Sequence, residues 1–237
     1  MIPIRDSIPC YNPPIVTWTL MAINSVVFLL MLTMSDTVRQ AFVYLYGMVA
    51  ARYSHPAWAM EVGLADDHYL SFVTSMFLHG GWMHIIMNML FLWIFADNIE
   101  DRMGRVRFIA FYFLCGLTAA FLQYFFNADS TIPVVGASGA IAGIMGAYFF
   151  LYPYARIIIW IPLFFLPIFF EVPAIAFLGF WVIIQLKNAT DTLVNQPFAD
   201  VAWWGHLGGF LMGAACYRYF IREDAPPGYG PESGAEE

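Results

Sequence analysis

Six apolar stretches, at residues 15–34, 82–96, 106–126, 138–152, 172–186 and 201–220, divide this 237-residue chain. A membrane span needs about 20 mostly apolar residues, and lipid offers no partner to an unpaired backbone group, so such runs read as transmembrane helices. The charge agrees: only 11% of residues are charged, where an ordinary soluble domain carries roughly 25%. A hydrophobic content of 61% and a mean hydropathy of +0.67 exclude a water-soluble globule and a disordered chain. A net charge of −7 with 10 basic residues excludes a basic nucleic-acid binder. Three cysteines, Cys10, Cys115 and Cys216, make no readable disulfide framework.

A further apolar run, 157–170, is only 14 residues long and contains Pro162 and Pro167, with Glu171 and Pro173 following. It suits an interfacial or re-entrant segment better than a span, which leaves six helices. The distribution of basic residues orients them. With the N-terminus inside, Arg5, Arg102, Arg105, Arg107, Arg156, Arg218 and Arg222 are cytoplasmic, while Arg39, Arg52 and Lys187 are outside. Residues 1–14 read as a polar, proline-bearing cytoplasmic leader, 15–220 as the six-helix membrane domain, and 221–237 as a disordered acidic cytoplasmic tail. The 35–68 loop carries an aromatic stretch, Phe42, Tyr44 and Tyr46, expected to lie in the membrane interface.

Polar side chains inside spans are costly, so each one marks a candidate site. Four stand out: His84 and Asn88 on the second helix, Ser138 opening the fourth and His206 near the start of the sixth. His84 and Asn88 are four apart and share one helix face. His79 is five residues before His84 and is expected to be rotated away from it, which argues against a metal pair. Ser138 stands in Gly136-Ala137-Ser138-Gly139, with Gly143 and Gly146 beyond, and Gly205, Gly209 and Gly213 recur every four residues beside His206. Small residues on both helices permit close backbone approach, either as plain packing or to bring a hydroxyl within reach of an imidazole. Parity supports the second: Ser138 and His206 lie level only if 157–170 is not a full span. The fourth stretch, about 22 Å long as a helix against a core of ~30 Å, also buries Ser138 below the outer surface, so hydrolysis there needs a water-filled recess.

The motifs HGGWMHIIMN at 79–88, GASG at 136–139 and WWGHLGGF at 203–210 together resemble the rhomboid family of intramembrane serine proteases, over about residues 10 to 220. The resemblance implies an all-α polytopic fold, a six-transmembrane-helix rhomboid-like bundle. It further implies a serine endopeptidase in which Ser138 is the nucleophile and His206 the general base, a dyad without a carboxylate. His84, Asn88 and the Ser138 backbone N–H would form the oxyanion hole, with Gly136 keeping the turn open and Gly139, Gly205 and Gly209 supporting the packing. The implied partners are the lipid bilayer and transmembrane protein substrates, with no nucleic acid, metal or cofactor. The expected location is the bacterial cytoplasmic membrane, both termini inside. Two positions depart from the pattern. The first outer loop lacks a Trp-Arg pair seen in some members, and Ala142 stands where some place a tyrosine that stacks on the catalytic histidine. Two alternatives remain: a catalytically inactive rhomboid-like protein that binds membrane helices, and a small transporter or metal-handling protein, for which paired repeats or carboxylates in the spans are missing.

Overall fold

A computed structural model describes residues 2–64, 69–163, 166–194 and 201–223. In chain order the elements are β1 (Ile2–Asp6), α1 (Ile15–Leu32), α2 (Asp36–Tyr46), the short α3 (Ala51–Ser54), α4 (Pro56–Glu61) and α5 (Ser71–Thr74), a 3-10 turn (Ser75–Phe77), α6 (Trp82–Met103), α7 (Arg105–Phe126), α8 (Ser138–Leu151), β2 (Arg156–Leu163), β3 (Leu166–Pro173), α9 (Ala174–Val194) and α10 (Trp203–Phe220). By length and apolarity three of these are able to cross a membrane, α1, α6 and α7, and α8 is a shorter apolar helix. The fold is a mostly helical, polytopic membrane bundle.

The bundle is built around α8. Its residues from Ala140 to Tyr148 are all buried, so the helix is enclosed on every side, as a helix that is apolar all round must be. α10 packs along it through glycine. A Cβ placed on Gly209 would collide with the Gly139 carbonyl, one on Gly213 with the Gly143 carbonyl, and one on Gly146 with the Phe210 carbonyl. Backbone thus meets backbone at three successive levels. α6 and α7 are joined by the single residue Gly104, whose φ of +73° lets the chain reverse where a side chain would be strained. Large apolar side chains such as Leu29, Leu30, Trp93, Phe121, Phe125 and Ile183 point outward from their helices, as a lipid-facing belt requires.

The all-α expectation needs correction at one end. Residues 157–163 and 166–170 belong to two paired antiparallel strands, with Arg156 opposite Pro173 and Leu163 opposite Leu166, and the leader strand β1 pairs antiparallel with β2 in the order β1-β2-β3. The run of β-branched residues Ile157, Ile158 and Ile159 favours a strand, and Ile157 and Ile159 alternate into the core while Ile158 does not. The leader is therefore tied down from its second residue. Tyr148 also donates to the Asp6 carboxylate, whose burial pushes its pKa up to about 6. The strand pair starts and finishes beside the end of α8, where the Ala174 and Ile175 N–H groups donate to the Ala155 and Pro153 carbonyls. α9 consequently turns back along the bundle, so that residues well along it come level with the start of α8.

The same end gathers β1, the start of α1 and the residues that follow α10. Glu100, buried on α6, accepts from the N–H groups of Val16 and Thr17 and from the Thr17 hydroxyl at 2.8–2.9 Å, capping the start of α1, and Asp101 accepts from Tyr11 and Asn12. Arg222, in the segment read as the start of the tail, donates its N–H to the Arg102 carbonyl. The remainder of that tail, 224–237, lies outside the described residues, as does the end of the 35–68 loop. Within that loop the aromatic stretch forms α2, which buries none of its residues.

Candidate active site

At the opposite end of the bundle, the N-terminus of α8 meets α6, α9 and α10. The turn before α8 is held by two backbone ties: Gly136 donates to the Ser75 carbonyl at 2.9 Å, and Val134 and Met48 exchange both ladder bonds at 2.8 and 3.0 Å. The second tie anchors the loop between α1 and α6. Buried Arg52 adds to it by donating to the Tyr44 and Leu45 carbonyls at the end of α2, so this arginine, without a tryptophan partner in sequence, closes the loop on itself.

Ser138 is the first residue of α8 and His206 the fourth of α10. The His206 Nε2 to Ser138 Oγ distance is 2.8 Å, a full hydrogen bond. The glycine contacts one and two turns deeper set that separation, since any side chain at Gly209 or Gly213 would push the helices apart. Gly139 is equally crowded, its Cβ falling on that of Ala119, whereas Gly205 is looser, with the Ala119 carbonyl 3.3 Å from the added atom. The Gly205 N–H is held by the buried Gln123 side chain of α7 at 3.1 Å, which fixes where α10 begins.

His84 and Asn88 come to the same place from α6. A Cβ on Gly136 would lie 2.6 Å from His84 Nε2 and 3.6 Å from Asn88 Nδ2, and the φ of +118° at Gly136 is itself a conformation for glycine. His84 Nδ1 accepts from the Gly80 N–H at 3.4 Å, which leaves Nε2 as the protonated nitrogen facing the turn. Asn88 spends one amide proton on the His84 carbonyl at 3.0 Å and keeps the other. His79 differs from expectation. It precedes the helix, so helical spacing does not apply, and its ring meets the His84 ring edge-on at 5.1 Å. Burial and the neighbouring His84 bring its pKa down to about 4, so it is neutral at physiological pH.

Ser138, His206, His84 and Asn88 line one cavity of about 430 Å³, whose other walls are apolar and include Met83, Met87, Phe91, Met145 and Trp181. Among the described residues, no carboxylate lines it. One contact was missed in sequence: Gln185 of α9, buried, holds His206 Nδ1 at 2.8 Å through its Oε1. Its signal was present, since it is an amide inside the 172–186 apolar run and belongs with the other costly polar residues. Ala142, by contrast, is buried between α8 and α10 and offers no ring to the imidazole. The aromatic neighbours are Trp181 and Trp203, at 6.0 and 6.1 Å between ring centres.

Comparison with known proteins decides the family, because residues 66–223, well over half of the chain, match the rhomboid domain. The chain belongs to the rhomboid family. Among similar rhomboid proteins are rhomboid protein 1, mitochondrial, of Saccharomyces cerevisiae (28% identical over 156 residues, 64% of this chain and 42% of that one), and presenilin-associated rhomboid-like protein A, mitochondrial, of Danio rerio (31% over 153 residues, 61% and 36%). The rhomboid protease GluP of Bacillus subtilis is 34% identical over 84 residues, 35% of this chain and 16% of that one. The matched parts span less than half of each of these three relatives. Two of them are mitochondrial, so the expected bacterial membrane finds no support in the comparison; this rhomboid is an integral membrane protein.

Proposed function

We propose that this rhomboid is an intramembrane serine endopeptidase that cuts peptide bonds in or near transmembrane segments of membrane-protein substrates. The observation that carries the reading is the 2.8 Å contact between Ser138 Oγ and His206 Nε2 at the floor of a cavity between helices. Ser138 attacks the peptide carbonyl as neutral His206 takes its proton, His206 returns that proton to the departing amine, and water repeats the sequence on the acyl-enzyme. Three donors suit the oxyanion: the Ser138 N–H, which no residue caps at the start of α8, His84 Nε2–H and the second Asn88 amide proton. The cavity gives room for the water that deacylation needs, and its apolar walls suit a chain that leaves lipid to enter it.

The proposed topology has six spans, α1, α6, α7, α8, α9 and α10, with both termini cytoplasmic. Its support is that the leader and the residues just after α10 gather at the face opposite Ser138, together with the basic residues of the α6–α7 turn. Incubating the purified protein with a panel of tagged single-pass membrane proteins tests the activity. Cleavage within or beside the transmembrane segment of at least one is expected; association without cleavage of any favours the inactive, helix-binding alternative.

A further inference from the structure

We propose that Gln185 is a positioning residue for His206, taking the place that a carboxylate fills in a three-membered catalytic set. The inference rests on the proposed Ser138–His206 pair. Its geometric basis is a continuous line of hydrogen bonds across three helices, from Gln185 Oε1 on α9 to His206 Nδ1, and from His206 Nε2 to Ser138 Oγ on α8, each 2.8 Å.

An imidazole can serve Ser138 as a base only if Nε2 carries the lone pair, which requires the proton to sit on Nδ1. An acceptor at Nδ1 selects that tautomer, and a carbonyl oxygen is an acceptor only. Gln185 is 4% exposed, so its amide is shielded from bulk water. The ring is held on the same side by Trp181, one helical turn before Gln185 on the same face of α9. Among the described residues, the titratable group that faces this imidazole across the cavity is His84 of α6, and the other neighbours, Trp181, Trp203, Gln185 and Ser138, bring no charge. A neutral amide therefore fixes tautomer and ring angle without burying a charge in the membrane, where an unpaired carboxylate is costly. It also supplies the orientation that a ring at position 142 would have supplied.

Two variants test this, Gln185→Leu, which removes the acceptor, and Gln185→Glu, which keeps it and adds charge. The readouts are the rate at which a fluorophosphonate labels Ser138, the kcat and KM for reporter cleavage across pH, and the thermal midpoint in detergent. Gln185→Leu is expected to lower kcat and labelling at least ~10-fold with KM little changed, short of the ~10⁴-fold cost of presenting a catalytic histidine in the wrong tautomer. Gln185→Glu is expected to recover most of that rate above neutral pH, with the acid limb of its profile moved up by about one pH unit or more. A wild-type rate and profile in both variants, or a loss in Gln185→Leu fully accounted for by a lower thermal midpoint, overturns the role. If Gln185→Leu does not fold, the profile of Gln185→Glu decides alone, and an unshifted acid limb is the contrary result. Failure of the wild type to label at Ser138 instead overturns the serine-hydrolase reading, and this inference with it.

Discussion

Replacing Gly209 by alanine perturbs the site without touching any group assigned a chemical role. The added Cβ falls 1.9 Å from the Gly139 carbonyl oxygen, whereas a carbon needs about 3.5 Å from its neighbour. Backbone cannot swing aside as a side chain can, so α8 and α10 have to part by roughly 1 Å or more at this level. Gly139 directly follows Ser138, and Gly209 is one turn past His206, so the parting is passed on to the 2.8 Å hydrogen bond and lengthens it to about 4 Å, beyond bonding range. A misplacement of ~1 Å costs on the order of 10²-fold in rate, and overpacking costs about 1–3 kcal/mol in stability. Gly205→Ala is the control: its Cβ meets the Ala119 carbonyl at 3.3 Å and needs only a few tenths of an ångström of adjustment. Cleavage of a transmembrane reporter, normalised to folded protein by thermal melting in detergent, should fall about 100-fold in Gly209→Ala and only a few-fold in Gly205→Ala. If both variants cut alike and near the wild-type rate, glycine contact does not set the serine–histidine distance.

Loss of either oxyanion donor, His84→Ala or Asn88→Ala, should lower kcat by about 10²-fold while leaving KM nearly unchanged, because the donors act on charge that develops only in the transition state; a rise in KM alone would assign both to substrate binding. His79 makes stability fall in acid. Its folded pKa of about 4 lies below the unfolded 6.5, so the unfolded chain binds more protons between those values, and the folded state loses about 3 kcal/mol as pH falls through them. The thermal midpoint of His79→Phe should therefore drop less than that of the wild type from pH 7 to 4, and parallel curves would show that His79 is not the titrating group.

The long apolar helices α1, α6 and α7 were legible because lipid demands length and apolarity together, and the residues of the candidate site because polar side chains within apolar runs are too costly to be incidental. Ser138, His206, His84 and Asn88 are scattered over more than a hundred positions, yet each stood out within an apolar run, and the glycines flanking them announced close approach. The sheet was not legible. The 157–170 run lacks clear alternation, and what makes it a strand is partly a partner near the N-terminus, Ile2 to Asp6, which no local pattern reveals. Gln185 was passed over for a similar reason: it sits one residue from the end of its run and resembles a boundary residue until α9 turns back and carries it to His206. His79 was misjudged because helical spacing was applied to a residue that precedes the helix.

The central claim is that the Ser138 hydroxyl is activated by His206. Mass spectrometry of the protein after treatment with a fluorophosphonate probe tests it most directly. The label is expected on Ser138, abolished in Ser138→Ala and strongly reduced in His206→Ala with the fold intact. Label on another residue, or undiminished labelling of Ser138 in His206→Ala, would contradict it.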